Sequence, residues 1–480
     1  WRMRGAVSCE RYLGRLMDEL SALITRSHIV SANTLVVCEP RLGWLTRGNP
    51  DIPPDTPEVA VMLRDTGTDI ELTVPLSSIL NPADHYARWW SSGIMRIGDS
   101  DDYTERDIKP PRVLLFCDKD GFVVLVGCRA GRGRLVMGGP NRGSGIIVAN
   151  YAVLGGRSLR YEAINGMRTE IPALMAWTRF SSMKVDRHHD EHNRLQSVQM
   201  KLSSIDSVKL AQTLDLTMHS TWIGTEKLGY FCAREHIVLE TNVRDASSWD
   251  EHFLVHGAVL DLVSLSAWRP FGFAKVEVCR HDDPKLGPGK KRYDRWSQVV
   301  TYRLPKQEEQ FDKQHFLFLY EELGPSGVEQ WLDLREKYSQ GLDPVFGILR
   351  SDSPWSESST VQSGIALETL GYLIDTHKHN GVKQCESKRR QISFGDALKL
   401  IVDDMEVMPF DDVDAWLRRA REVYMGLKHY DCSTPDSLIL LNTLRDNLLV
   451  IRFWVGLQLG VCPETLKDSL RNDPLSKKFI

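Results

Sequence analysis

The sequence predicts an α+β multidomain protein: a β-rich, sandwich- or barrel-like amino-terminal domain followed by an all-α four-helix bundle. Three observations carry that expectation. Between about residues 51 and 303, short runs of β-branched and aromatic residues alternate with turn signals. From about residue 306 the composition becomes charged and helical, as in VEQWLDLREKYSQGLD at 328–343. Beyond about residue 356, four apolar stripes at three- and four-residue spacing follow one another, with capping signals between them.

A chain of 480 residues is too long for one ordinary core. Composition places the borders at 1–50 for an amino-terminal helix and lead-in, 51–303 for the β-rich domain, 304–355 for a helical connector and 356–480 for the bundle. The first helix is read at 10–25, where Leu13, Leu16, Met17, Leu20, Leu23 and Ile24 form one stripe. Asp18 and Glu19 within it are unlike the apolar centre of a targeting signal. Strands are expected at Val59–Leu63, Ile70–Val74, Val113–Cys117, Phe122–Cys128, Leu159–Ala163 and Val299–Tyr302. Asp120-Gly121, Gly138-Gly139 and Gly155-Gly156 supply turns. One stretch departs from the β pattern: HFLVHGAVLDLVSLSAW (252–268) is apolar on every side and reads as a buried helix.

In the bundle, the first helix (about 359–378) carries Ala366, Leu370, Leu373, Ile374 and His377 on one face. The second starts at the N-cap Ser393 and buries Phe394, Ala397, Leu398, Ile401 and Met405. The third follows Asp411, Asp412 and Asp414, acids that suit a helix N-terminus, with Val413, Trp416, Leu417, Ala420, Tyr424 and Leu427 as its stripe. The fourth opens at Thr434-Pro435, carries Leu441, Leu444, Leu448, Ile451 and Val455, and stops at Gly460. Short links make the four an up-down bundle.

A net charge of -4 and a pI near 6.4 exclude a globally basic nucleic-acid binder, so any such contact must come from local patches. No apolar run reaches the roughly 20 residues of a membrane span; the best, Leu438 to Val461, is broken by Arg445, Asp446 and Arg452. Nine cysteines without a CxxC pair give neither a disulfide framework nor a zinc site, and a reducing cytoplasm is the expectation.

The segment RAREVYMGLKHYDCSTPDSLILLNTLRDNLLVIRFWVGLQLGV (419–461) resembles the end of ApeA-like HEPN domains, and FLFLYEELGPSGVEQWLDLREKYSQGLDPVFGIL (316–349) resembles the stretch before it. ALETLGYLIDTHKHNG (366–381) fits the first helix of the same pattern. The resemblance implies a metal-independent ribonuclease without cofactor. It would act as a homodimer or higher homo-oligomer in bacterial abortive infection, with cellular RNA (tRNA among it) as target, a phage-derived trigger and no membrane partner. The family motif, an arginine followed a few residues on by a histidine, falls here on Arg421 and His429. Seven residues separate them, one more than the family's usual range, and Val423 and Tyr424 stand where shorter spacings would place the arginine.

Those residue types suit the chemistry. Histidine moves protons near neutral pH. An arginine fork meets charge on a phosphorane bidentately and stays protonated. His429 falls where the third helix ends, a position whose dipole suits a cation and so a general acid. Eight residues of helix rise about 12 Å and turn about 80° net, too far for one phosphate. Either the helix unwinds near Gly426 or two copies compose the site.

Candidate RNA contacts are His377, Lys378, His379, Lys388, Arg389 and Arg390, with Lys383 nearby and Lys428 beside the catalytic histidine. Glu368 could orient a catalytic group or be a surface carboxylate. His188, His189 and His192, with Asp186 and Asp190, have metal-site residue types but lie in a polar stretch, and no metal is assigned. The glycines from Gly131 to Gly145 lack the ending of a P-loop and read as hairpins. Lys285 to Arg292 is a basic hairpin tip, either solvated or in contact with phosphate. Two rival readings stand beside the ribonuclease. One is a catalytically inactive HEPN module for RNA binding or dimerisation. The other is a ligand- or carbohydrate-binding β-sandwich with a structural helical tail, using Trp89 and Trp90 as an aromatic platform.

Overall fold

Antiparallel strands in a computed structural model build the amino-terminal part of the protein, and helices build the carboxy-terminal part. The structure describes residues 35, 39–45, 58–76, 86–93, 109–135, 143–305, 314–386, 392–429 and 435–480. The helix expected at 10–25 lies outside them. The chain divides into two units: 1–161 with 299–302, and 162–298 with 303–480.

In the first unit, β1 (Arg41–Leu45), β2 (Ala60–Asp65), β3 (Ile70–Leu76), β4 (Val113–Asp118), β5 (Gly121–Val126), β6 (Arg129–Leu135), β7 (Gly143–Ala149) and β8 (Tyr151–Leu154) pair antiparallel in the order β8-β5-β4-β1-β2-β3-β7-β6. Val299 to Thr301 pair with the free side of β8. Leu45, Leu63, Leu72, Phe116, Leu125, Ile147 and Leu154, from seven different strands, share one core, so the sheet curls around it. The Asp-Gly turn closes β4 on β5: Asp118 Oδ1 accepts from the amides of Asp120 and Gly121. Arg41 grips the same carboxylate with Nε at 2.7 Å and Nη2 at 2.6 Å, which fixes β1 beside that turn.

Two expectations fail in this unit. Trp89 is buried in the core, and Trp90 lies half-buried over Gly145, where a Cβ would come within 2.3 Å of the indole. The aromatic platform is therefore packing, not an exposed surface. Residues 159–162 form a turn and the strand begins only at Ala163. Tyr161 is apolar because its ring is buried against Gly156, not because it sits in a ladder.

The second unit begins with β9 (Ala163–Glu170) and a short helix α1 (Leu174–Thr178). A separate hairpin follows, β10 (Met183–His189) with β11 (Leu195–Leu202). Next come β12 (Val208–Lys209), β13 (Thr217–Lys227), β14 (Tyr230–Ser248), α2 (Trp249–Ala267) and β15 (Lys275–Cys279). The strands order as β12-β13-β14-β9-β15. A small hairpin, β16 (Lys285–Leu286) with β17 (Arg292–Tyr293), precedes β18 (Ser297–Thr301), whose Ser297 and Gln298 pair with β15.

α2 is the expected buried helix. Ser248 caps it, accepting from the Glu251 amide. One side meets the sheet through a chain of buried hydrogen bonds. Thr169 Oγ1 lies 2.7 Å from His256 Nδ1, His256 Nε2 lies 3.0 Å from Thr241 Oγ1, and Thr241 Oγ1 lies 2.7 Å from His252 Nδ1. His252 Nε2 points at the Ile164 carbonyl, 3.4 Å away. That carbonyl can only accept, so one assignment satisfies the chain: each histidine is neutral with its proton on Nε2, and each threonine donates to the Nδ1. Burial pushes His256 down to about 3 and lowers His252 too.

The other side of α2 carries the helices α3 (Tyr320–Lys337) and α4 (Ser339–Leu349). Trp331 Nε1 donates to the Ala258 carbonyl at 2.6 Å, and Asp261 accepts from both Arg335 and Arg350. The rest is α5 (Glu357–Lys378), α6 (Val382–Glu386), α7 (Phe394–Asp403), α8 (Val413–Lys428), α9 (Ser437–Gln458) and α10 (Pro463–Leu470). The four expected bundle helices are α5, α7, α8 and α9. α9 starts at Ser437 with Asp436 as its cap, accepting from the Leu438 amide, rather than at Thr434-Pro435. Gly460, at φ +81°, ends it as expected.

The polar residues that interrupt α9 are buried. Asp446 accepts from Arg445 and Arg419. Arg452 is fully buried: Nη1 and Nη2 clasp Asp473 at 2.7 and 2.8 Å, while Nε and Nη2 donate to the Leu265 and Ser266 carbonyls at 2.9 Å each. Among the described residues, no helix is long and apolar enough to cross a membrane.

Two stability predictions follow from these buried groups. Arg452→Met strands the Asp473 carboxylate and removes one of the donors to each of two helix-end carbonyls, and should cost about 3–5 kcal/mol in denaturant titration. Adding Asp473→Leu should restore much of that loss; no recovery would show that the carbonyls matter more than the ion pair. The second prediction concerns pH. His256 is neutral when folded and titrates near its ordinary value when unfolded, so the unfolded chain binds the extra proton. Stability is full above about pH 7, falls through the ordinary histidine range, and stops falling near 3. The loss attributable to His256 should be about 2 kcal/mol at pH 5. A His256→Gln variant should show a flatter melting-temperature profile between pH 7 and 5.

Candidate functional site

The candidate site lies on α8, whose two sides do different work. Asp412 caps the helix, accepting from the Ala415 amide at 2.9 Å. Trp416, Ala420, Val423 and Tyr424 are buried at the spacing of one helix face. Trp416 Nε1 donates to Asn447 Oδ1 on α9, and Asn447 Nδ2 donates to Ser363 Oγ on α5, each at 3.0 Å, tying three helices together. The opposite stripe, Arg418, Arg421, Met425 and Lys428, is exposed, and exposed His429 follows it.

α8 is unbroken through Lys428, and His429 turns to extended backbone at φ -120°, its amide still donating to the Met425 carbonyl at 3.0 Å. Unwinding near Gly426 therefore does not occur. Arg421 and His429 stay about 12 Å apart along the axis.

A polar group that spacing alone does not reveal sits beside them. Tyr424 Oη donates to Glu368 Oε2 on α5 at 2.8 Å; Lys428 Nζ stands 3.3 Å from that hydroxyl and 3.7 Å from the carboxylate. Burial, then the Glu368 hydrogen bond and charge, push the Tyr424 phenol above its ordinary range. The Tyr424 ring packs on Phe394 at 4.5 Å and lies across Gly364, where a Cβ would come within 2.3 Å of it. Glu368 is thus engaged with Tyr424 and Lys428. Tyr424 was legible only as a stripe residue, and its hydroxyl has no sequence signal.

The remaining candidates separate into bound and open groups. Lys378 Nζ donates to both Asp404 oxygens at 2.8 Å and to Gln458 Oε1 at 2.6 Å, and Trp454 Nε1 donates to the same carboxylate. That lysine ties α5 to α7 and α9 instead of facing a ligand. His377 stands edge-on to the Tyr338 ring at 5.4 Å. His379 is exposed at the end of α5. Buried Asp375 accepts from the amides of Lys383 and Gln384, fixing the turn that follows. Lys388, Arg389 and Arg390 lie outside the described residues. Arg419 is spent on Asp446. Arg418, which motif spacing did not single out, shares the open stripe with Arg421.

In the amino-terminal half, His188 and His189 are exposed residues at the end of a hairpin strand, with a shift of register between them. Among the described residues, no grouping of three histidine, cysteine or carboxylate side chains could hold a metal.

Fold and site together define a two-part protein, an antiparallel β-rich region joined to a helical bundle with a basic stripe on one helix. Residues 42–331 match the family model described as ApeA N-terminal domain 1, and the chain belongs to the ApeA family, an anti-phage defence family. No curated protein and no solved structure matches the chain.

The packing of Tyr424 sets a prediction. Gly364→Ala should displace that ring and lower stability by about 1–3 kcal/mol in thermal or denaturant unfolding. An unchanged melting temperature would mean that the ring moves freely and that the Glu368 contact is not held by packing.

Proposed function

We propose that this protein is a HEPN-type endoribonuclease that cuts cellular RNA, with tRNA as a candidate target, during an abortive response to phage. The observation that carries the reading is the open stripe of Arg418, Arg421, Lys428 and His429 at the end of α8, in a bundle attached to an ApeA amino-terminal domain. Lys378, Arg419 and Arg452 are committed to packing, whereas Arg418, Arg421 and His429 are exposed. The unbroken helix supports a composite site, in which Arg421 of one copy would work with His429 of a second, in a homodimer. The β-rich region would sense the phage-derived trigger.

The reaction suited to these groups is transesterification. The RNA 2′-hydroxyl attacks the adjacent phosphorus, its proton passing to a base. The bond from phosphorus to the 5′-oxygen breaks, and that oxygen takes a proton from His429. Arg421 meets the charge on the phosphorane through a planar fork. The products are a 2′,3′-cyclic phosphate and a 5′-hydroxyl. No step calls for a metal ion.

The long spacing along an unbroken helix also favours a second reading, an inactive HEPN module that binds RNA or dimerises. One experiment separates them. Purified protein incubated with tRNA in EDTA should leave cyclic-phosphate ends. His429→Ala should abolish the cleavage, and Arg421→Lys should lower it about a hundred- to a thousandfold, with circular dichroism unchanged. A 5′-phosphate product would refute the chemistry. Intact RNA in EDTA, with binding retained, would favour the inactive module.

A further inference from the structure

The β16–β17 hairpin is a basic element that the bundle chemistry leaves unused. Lys285, Lys290, Lys291 and Arg292 put four cations within eight residues, in a chain whose net charge is -4. All four are exposed, and among the described residues none makes a salt bridge. The acids at the base of the hairpin are engaged: Asp282 pairs with Arg280 at 2.8 Å and Asp283 with Arg295 at 3.4 Å. Asp294, beside Tyr293, is exposed, so four cations at the tip stand against one exposed carboxylate at its base.

The hairpin also has a built surface. Lys285 stands opposite Tyr293 in the register, so the two share a face, and Lys291 lies on it two residues away. The Tyr293 ring lies against Gly287, where a Cβ would come within 2.5 Å of it. The residue is 47% exposed, and Lys291 Nζ stands over the ring, 5.4 Å from its centroid. A tight turn holds this arrangement. The Gly287 amide donates to the Lys291 carbonyl at 2.9 Å, the Lys290 amide donates back to Gly287 at 3.1 Å, and Gly289 and Lys290 both take positive φ. At the base, Trp296 lies over Gly166, with the Arg168 guanidinium 3.8 Å from its ring centre.

From this geometry we infer that the hairpin is a binding platform for single-stranded nucleic acid, separate from the bundle. A base stacks on the half-exposed Tyr293 ring, and the sugar–phosphate backbone runs past Lys285 and Lys291, with Lys290 and Arg292 adding charge around the tip. Aromatic stacking beside cations is how strands are held without sequence readout. An anionic membrane would use the same charge, but it does not call for a flat aromatic ring flanked by two ammonium groups. The choice of RNA over DNA rests on the ribonuclease reading; the platform itself does not.

The test uses the full chain and fluorescein-labelled uridine-rich RNA of about twelve nucleotides, with DNA of the same length, in EDTA. Anisotropy is read at several salt concentrations. Replacing Lys285, Lys290, Lys291 and Arg292 together with Ala should weaken binding about ten- to a hundredfold and lower the slope of log affinity against log salt by about 2 or more. Tyr293→Ala should weaken single-strand binding about five- to a hundredfold and leave duplex binding unchanged, while Tyr293→Phe should keep full affinity. Equal losses for RNA and DNA, or a loss for RNA alone, both support the platform and tell which sugar it accepts. Wild-type affinity and slope in the quadruple variant, with native circular dichroism, would overturn it. So would loss of binding to phosphatidylserine vesicles with RNA binding retained. A wild-type protein that binds RNA through this hairpin but leaves it uncut would refute the ribonuclease reading and leave the platform standing.

Discussion

The buried guanidinium of Arg452 is the constraint on which the carboxy-terminal unit depends. A helix ends with carbonyls that its own amides cannot reach, and α2 ends in the protein interior, where water cannot serve them. Arg452 donates to the Leu265 and Ser266 carbonyls, and its charge is met by Asp473. The Leu317 amide donates a second bond to the Ser266 carbonyl, bringing in the segment before α3. One side chain of the bundle thus closes the end of a helix that belongs, by its other side, to a β-sheet. That other side is held by the Thr169–His256–Thr241–His252 chain. α2 is therefore the middle layer, and both of its contacts are polar groups removed from water and fully paired. Such pairings are costly to break on one side only, which makes the packing of sheet on helix on bundle specific as well as stable.

A second consequence concerns where charge is left over. Many of the basic residues in the bundle are consumed by its construction: Lys378 by Asp404, Arg419 and Arg445 by Asp446, Arg452 by Asp473. Buried carboxylates need such partners, and the helices supply them. What remains exposed on α8 is Arg418 and Arg421, with His429 at its end, on the side away from Trp416 and Val423, while Lys428 is shared with Glu368 and Tyr424. The same sorting occurs in the β region, where Arg41, Arg168 and Arg280 each serve a neighbouring carboxylate while the cations of the 285–292 tip do not. Function in this protein is sought where construction has not already used the charge.

The glycines that matter are those that admit a ring. Gly364 receives Tyr424, Gly145 receives Trp90, Gly166 receives Trp296 and Gly287 receives Tyr293. In each case the missing Cβ lets an aromatic side chain lie against the backbone. At Gly364 this brings the tyrosine hydroxyl to Glu368 beside Lys428. At Gly287 it holds a half-exposed tyrosine ring beneath Lys291. Both sites owe their geometry to a glycine that a residue-by-residue search for chemistry passes over.

The period and composition of the sequence determined the succession of strands and helices. Ser393, Asp412 and Gly460 were legible as helix ends because caps are local, and 252–268 was legible as a buried helix because it is apolar all round. The Asp-Gly turn between β4 and β5 was legible for the same local reason. The start of α9 was misplaced, since Thr434-Pro435 and Asp436 offer competing local signals. The Tyr161 segment read as a strand because burial by a curled sheet and burial in a ladder leave the same apolar residue. The pair Arg421 and His429 was legible as residue types, but that the helix between them continues unbroken to Lys428 was shown only by the structure. Only the tertiary structure decided which lysines and arginines are spent, because a partner such as Asp404 for Lys378 or Asp473 for Arg452 is distant in sequence. Local propensity sets backbone conformation within a few residues, whereas the pairing of buried charges depends on which surfaces meet.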